Sequence, residues 1–242
     1  MMKEFHFIDM HSHILPNVDD GAKNIEETRK MLQMAYDDGV REMVATPHFT
    51  TGRYYKKNNL LQAYELVKEE ALKISNDFKI YLGNELYYSS GIVDALRNHS
   101  ANTIADSKYV LVEFSQNDSF RRINEGIREL ILSGYLPILA HVERFRNLSE
   151  LKRIEELIDA GCYIQVNATS FIGGFFDQQA RFCKKILQYG YVHFVGSDCH
   201  NTEDRKPVMQ EAYKKISKIL ETDRLNDIFF INPRKVIDNQ II

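Results

Sequence analysis

Residues 5–13 read Phe-His-Phe-Ile-Asp-Met-His-Ser-His, a β-type apolar run (5–10) that ends in a carboxylate and two imidazoles. Side chains at i, i+2 and i+4 of a strand point the same way. Asp9, His11 and His13 therefore share one face if the strand continues that far. Imidazole suits zinc, iron, nickel or copper and carboxylate suits harder ions, so the stretch is half of a metal site at a strand exit. A His-x-His pair alone does not differ from two ordinary exposed histidines. The rest of the chain decides.

Working outward, short β-rich runs recur at 41–46, 78–83, 109–114, 136–141, 162–167 and 192–197. Between them lie amphipathic segments of helical period at 24–38, 58–75, 119–133, 149–160 and 177–188, with a last one near 206–221. Gly39, Gly134, Gly161 and Gly190 stand where a helix ends before the next strand. Strands alternating with helices build parallel βαβ units, so the class is α/β. Seven strands favour a closed or nearly closed TIM-like barrel over an open sheet. The 242 residues show no linker or low-complexity tract, and we expect a single domain over 1–242.

Composition narrows the partners. A formal net charge of −3 gives no overall attraction to nucleic acid or to an anionic membrane. No run approaches the roughly 20 apolar residues of a spanning helix, so no membrane insertion is expected. The first residues, MMKEFHFIDM, lack the apolar core of a secretory signal, and the cytoplasm is the expected compartment. Three cysteines, Cys162, Cys183 and Cys199, form an odd set without metal-type spacing and argue against a disulfide framework.

Histidines and carboxylates collect at the C-terminal ends of the runs. His11, His13 and the Asp19-Asp20 pair follow the first, His48 the second and Glu85 the third. Glu113 lies at the fourth, His141 ends the fifth, Asn167 the sixth, and Asp198-Cys199-His200 the seventh. In parallel barrels these exits open on one face, where active sites are built. Nine candidate ligands (His11, His13, Asp20, His48, Glu85, Glu113, His141, Asp198 and His200) exceed what one ion needs and would serve two or three. Four carboxylates against three dications leave a surplus of about +2, suited to a phosphate dianion. Clustered metals lower the pKa of a water and clamp the attacking and leaving oxygens in phosphoryl transfer.

With these residues in view, the chain resembles the polymerase-and-histidinol-phosphatase (PHP) superfamily. More narrowly it resembles the bacterial protein-tyrosine phosphatases of capsule and exopolysaccharide loci. The matching segments are DMHSHILPNVDDG, ATPHF, GNELYY, VEFS, AHVERF, GCYIQVN, GSDCHN and NPRKVI, spread over residues 9 to 237. The His-x-His and Asp-x-His pieces mark the superfamily, whereas VDDG, ELYY, HVERF and NPRK point to the phosphatase branch. The resemblance implies a distorted seven-stranded (β/α)7 barrel with a trinuclear site. One ion would sit on His11, His13, Glu85 and Asp198, and a second on Glu85, Glu113 and His141. The third would take Asp20, His48 and His200. Asp9 would hold an imidazole from behind. Manganese is the expected metal; iron, zinc and magnesium also suit these ligands.

Two arginines adjoin the ligand motifs, Arg144 three residues after His141 and Arg205 five after His200. Guanidinium forks bind phosphate oxygens bidentately, and the resemblance implies that both contact substrate phosphate. Residues 49–59, FTTGRYYKKNN, offer Arg53, Lys56 and Lys57 with two tyrosines, either a grip for an acidic phosphopeptide or a solvated loop. Tyr87-Tyr88 either stack on a substrate ring or pack. Cys199 to Arg205 matches the Cys-x5-Arg spacing of cysteine-dependent tyrosine phosphatases. Its interior lacks Gly and carries Glu203 and Asp204, which would repel an anion, so we expect no cysteine catalysis.

The expected activity is metal-dependent hydrolysis of phosphotyrosine in a protein. The resemblance implies that the protein substrate is the tyrosine-rich tail of a cognate, membrane-associated bacterial tyrosine kinase controlling polysaccharide export. The alternatives are a small-molecule phosphomonoesterase of the histidinol-phosphatase kind, a PHP-type nuclease, and a non-catalytic protein with a degenerate site.

Overall fold

The structure is a computed structural model that describes residues 5–52, 57–173 and 177–242. Its strands are β1 (Phe7–Ser12), β2 (Val40–Ala45), β3 (His48–Phe49), β4 (Lys79–Leu82), β5 (Glu85–Tyr87), β6 (Tyr109–Glu113), β7 (Leu136–Leu139), β8 (Tyr163–Asn167) and β9 (Phe194–Gly196). The helices are α1 (Ile25–Asp37), α2 (Lys57–Ile74), α3 (Ile92–Arg97), α4 (Phe120–Leu132), α5 (Leu151–Asp159), α6 (Gln178–Gln188), α7 (Met209–Ile216), α8 (Thr222–Asn226) and α9 (Asn232–Ile237). The six expected helical segments correspond to α1, α2 and α4 to α7. Side-chain caps fix several starts: Asn24 accepts from Glu27 N–H, Ser119 from Arg122 N–H, and Asp177 from Gln179 and Ala180 N–H.

All strand pairings are parallel, in the orders β1-β2-β4 and β3-β5-β6-β7-β8-β9. The expected second and third strands, 41–46 and 78–83, correspond to β2 and β4, and each is followed after a break by a short strand that was not expected, β3 and β5. Pro47, which has no N–H to give a ladder, separates β2 from β3, and Gly83-Asn84 separate β4 from β5. The breaks are bridged by Gly83 N–H to Ala45 O (2.9 Å) and Glu85 N–H to Pro47 O (3.2 Å). Beyond β9 the chain returns to β1: Asp198 N–H donates to His11 O (2.8 Å) and His13 N–H to Cys199 O (2.9 Å).

The sheet is curled and buried on both faces, as parallel sheets require. Its inner face holds Ile8, Met10, Val44, Tyr109, Leu111, Ile138 and Phe194, and Val236 of α9 packs into the same cluster. The outer face, with Phe7, Val40, Met43, Val110 and Ile164, packs under the helices. Among the described residues β4 and β6 are not paired; the single turn Ile104–Asp106 contacts both.

Candidate metal centre

The register between β1 and β2 slips between Asp9 and Ser12, where β1 carries one residue more than its partner. Such a bulge re-aims the side chains beyond it. Because of it Asp9 does not share a face with His11 and His13. Its Oδ1 accepts from the backbone N–H groups of Ser197 (2.9 Å) and His11 (3.3 Å), and its buried Oδ2 has no hydrogen-bond partner among the described residues. Asp9 therefore ties β1 to the segment after β9 and holds no imidazole, contrary to the expectation. Burial pushes its carboxyl above the ordinary range.

Beyond the bulge, His11 and His13 meet Glu85 from the start of β5 and Asp198 from the turn after β9. The two Nε2 atoms are 3.2 Å apart, and each lies 3.2 Å from Glu85 Oε2. Asp198 Oδ1 is 3.4 Å from His11 and 3.5 Å from His13. All four residues are buried. A second group, His13, Asp20, His48 and His200, opens outward, with Asp20 Oδ1 3.3 Å from His48 Nε2 and 3.7 Å from His200 Nε2. His48 Nδ1 is 3.1 Å from both Glu85 Oε2 and Glu113 Oε1. His141 Nε2 is 2.7 Å from Glu85 Oε1 and 3.6 Å from Glu113 Oε2. All nine sequence-selected side chains thus lie together, with Glu85 and His48 each standing in two groups.

Two orienting residues were not anticipated. Asp19 accepts from His13 Nδ1 (2.7 Å) and from the backbone N–H groups of Gly21 and His48, so it aims two of the histidines. Burial opposes its charge, but the His13 bond holds the carboxyl at about 2. Gln165 Oε1 faces His11 Nδ1 at 3.3 Å. A carboxylate six residues after an imidazole, in the same loop, was a signal for Asp19; Gln165 lies 154 residues from its histidine and left none.

Backbone demands at the site are steep. His141 (φ 33°) and Asp198 (φ 51°) lie in the left-handed region, a strain that concentrates at functional sites. A Cβ on Gly21 would meet the His13 carbonyl oxygen at 2.1 Å, which explains the glycine of the VDDG motif. A Cβ on Gly196 would lie 2.8 Å from His11 Cβ.

The electrostatics are those of a cation trap. Burial opposes charge on Glu85 and Asp198, but facing imidazoles hold both carboxyls well below the usual range. Burial also opposes charge on His13, yet bonds to Asp19, Asp198 and Glu85 raise it well above the ordinary imidazole value. His48 is raised to about 10 by Glu113 and Glu85 against its burial. His200 goes the other way, to about 3, through burial and the neighbouring His13 charge. Its Nδ1 donates to Asp198 O (2.9 Å), and its buried Nε2 has no hydrogen-bond partner among the described residues. A neutral lone pair aimed at a carboxylate-rich cluster, and two Nε2 atoms converging on shared oxygens, fit divalent cations.

Arg144 and Arg205 stand at the rim, each about one-third exposed, and both donate to Asp198 Oδ2, at 2.6 and 3.0 Å. Asn167 Nδ2 reaches the same oxygen at 2.7 Å. The Cys199–Arg205 loop is no phosphate cradle. The N–H groups of His200 and Asn201 go to Arg205 O and those of Glu203 and Arg205 to Asn201 Oδ1, while the Cys199 thiol is fully buried and pushed up to about 12. Tyr88 packs 4.7 Å from the Phe114 ring and bonds to Glu129, whereas Tyr87 is partly exposed. Residues 53–56 of the basic loop lie outside the described residues, and Lys57 opens α2.

A family model for capsular polysaccharide synthesis, CpsB/CapC, matches residues 7–238. The chain belongs to this family. It is 39% identical over 246 residues to the tyrosine-protein phosphatase CpsB of Streptococcus pneumoniae, covering 97% of this chain and 100% of that one. It is 30% identical over 213 residues to the tyrosine-protein phosphatase YwqE of Bacillus subtilis strain 168, covering 87% and 84%. A crystal structure from work on YwqE and CpsB, described as unique metal-dependent tyrosine phosphatases, aligns with a TM-score of 0.89 at 28% identity over 97% and 96% of the two chains. In fold alone the CpsB/CapC chain also resembles the phosphotriesterase homology protein of Escherichia coli (TM-score 0.61, 11% identity, covering 98% and 100%).

Proposed function

We propose that this chain is a metal-dependent protein-tyrosine phosphatase. The observation that carries the reading is the convergence of nine ligand-type side chains from seven separate segments on one buried-to-open cluster, with two arginines at its mouth. The match to phosphatases over nearly the whole chain supports the same reaction. We take the nine residues to hold two or three divalent ions, manganese first among candidates with iron, zinc or magnesium compatible. When bound, such ions neutralise charge on phosphoryl oxygens and lower the pKa of a water at neutral pH.

The protein groups do the rest. Asp19 and Gln165 keep Nδ1 of His13 and His11 engaged, so that their Nε2 atoms face the cluster. Arg144 and Arg205 are anchored on Asp198 by one Nη2 each, which leaves other N–H groups of each fork for the equatorial oxygens of a phosphate. A tyrosine phenolate, with a pKa of about 10, leaves with less protonation than an alkoxide needs. A site made of cation ligands and arginines suits that leaving group. We read the broken strands as the seven strands of a distorted barrel in a single domain, interrupted at β4 and β6. The family context makes a phosphotyrosine tail of a membrane-associated kinase in capsule synthesis the substrate we propose, met in the cytoplasm. No helix among the described residues is long and apolar enough to cross a membrane.

The test is a panel of phosphotyrosine peptide, phosphoserine peptide, histidinol phosphate and single-stranded DNA, with and without chelator after manganese loading. The phosphotyrosine peptide should turn over best, and only without chelator. Turnover indifferent to chelator, or confined to DNA, overturns the reading.

A further inference from the structure

Gln165, on β8, has no exposed surface, and both the oxygen and the nitrogen of its carboxamide have partners. Its Oε1 accepts from the backbone N–H of His141 (2.8 Å) and faces His11 Nδ1 (3.3 Å); its Nε2 donates to Asn167 Oδ1 (2.9 Å). Asn167 Nδ2 in turn donates to Asp198 Oδ2 (2.7 Å). Neither amide can be flipped. A peptide N–H only donates, so the Gln165 oxygen must face His141; a carboxylate only accepts, so the Asn167 nitrogen must face Asp198. The ring nitrogen of His11 that meets Gln165 Oε1 must then carry a proton. Its Nε2, 3.2 Å from Glu85, is left to offer a lone pair to a cation.

We infer that Gln165 and Asn167 form a polarised two-amide relay that positions His11, His141 and Asp198 as one unit for metal binding. The inference rests on the metal-dependent reading above. The relay links the ligand-bearing segment after β7 to β1 and to the turn after β9, which already meet each other through Asp198 N–H to His11 O. It also supplies the acceptor for the N–H of His141, whose left-handed backbone persists only if its surroundings hold it. Space for the relay comes from Gly196, where a Cβ would lie 3.1 Å from Gln165 Nε2.

Titration of the full-length, metal-stripped protein with manganese alone tests the relay, with folding followed by circular dichroism. Gln165→Leu keeps bulk and loses the acceptor; affinity should fall about 10- to 100-fold, as for other orienting partners. Gln165→Glu keeps an oxygen for both His141 N–H and His11 Nδ1 and gives up only the bond to Asn167, so it should bind more tightly than Gln165→Leu. A packing role predicts the reverse order, because glutamate brings charge into a dry site. Should Gln165→Leu not fold, Asn167→Ala decides. It should weaken binding, and combined with Gln165→Glu it should weaken it no further, since both cut the same link. The inference is overturned by the reverse order, by unchanged affinities, or by additive effects of Asn167→Ala and Gln165→Glu. Failure of the wild-type protein to bind manganese, iron, zinc or magnesium overturns the metal-dependent reading instead.

Discussion

One methyl group on Gly196 should disable the site from outside it. Gly196 ends β9, pairs with Asn167 of β8, and backs directly onto the start of the histidine pair. In Gly196→Ala the new Cβ falls 2.8 Å from His11 Cβ. Carbon atoms rest at about 3.5–4.0 Å, so His11 must retreat by about 0.7 Å or more. The clash is with the root of the side chain, which no rotamer change relieves. Metal–ligand distances are held to about ±0.2 Å in working sites, so the displacement exceeds tolerance several-fold. Misplacement of about 1 Å costs on the order of 100-fold in rate, whereas overpacking costs only about 1–3 kcal/mol of stability. The variant should therefore fold and melt cooperatively at a reduced temperature, while its manganese affinity and phosphotyrosine turnover fall by about two orders of magnitude. Calorimetric titration with manganese beside a phosphopeptide assay reads both. Wild-type affinity and turnover in a folded Gly196→Ala protein would refute the placement of His11 in the centre.

Other outcomes follow from the same geometry. His141→Asn removes a ligand but supplies a residue that tolerates the left-handed backbone; turnover should vanish without loss of melting temperature. Arg144→Ala should lower turnover about 10²–10³-fold with manganese content, read by elemental analysis, unchanged. Cys199→Ser should keep most activity, because most of the loop amides are already engaged; a dead variant with full metal content would restore the cysteine mechanism. His193 accepts from Ile164 N–H, and burial lowers it from 6.5 to about 4. The unfolded chain then takes up the proton first as pH falls, so its contribution is full above pH 6.5 and lost towards pH 4, by about 3 kcal/mol. In urea unfolding at pH 7 and pH 4, the wild type should lose about 3 kcal/mol more stability than His193→Gln.

What the sequence revealed and hid has a physical pattern. Strand exits carrying His11, His48, Glu85, Glu113, His141 and Asp198 were legible because parallel topology sends every C-terminal strand end to one face, so local position implied spatial convergence. The breaks at Pro47 and Gly83-Asn84 were softer signals, since a two-residue β3 adds too little pattern to register as a strand. The helices α3, α8 and α9, of five or six residues each, were missed for the same reason. Asp9 was misread because period-2 alternation assumes an unbroken register, and the bulge after it depends on how β1 meets β2. Gln165 and Asn167 were invisible as a relay, since a neutral amide gains its meaning only from the atoms it faces.

The centre concentrates choices that local preference disfavours. His141 and Asp198 occupy left-handed backbone without being glycine, and four carboxylates gather at or below the surface. The two left-handed residues each cost of order 1–3 kcal/mol in backbone strain, and none of these departures improves the apolar cluster beneath, which Ile8, Met10, Leu111 and Phe194 fill without them. A sequence selected for folding alone would place Gly or Asn at 141 and 198 and apolar residues at 11 and 85. Departures of this kind, held in place by Gln165, Asn167, Asp19 and Gly196, are where a fold carries function at the expense of stability. Stability and activity should therefore move in opposite directions at 141 and 198, and together at 165, 167 and 196.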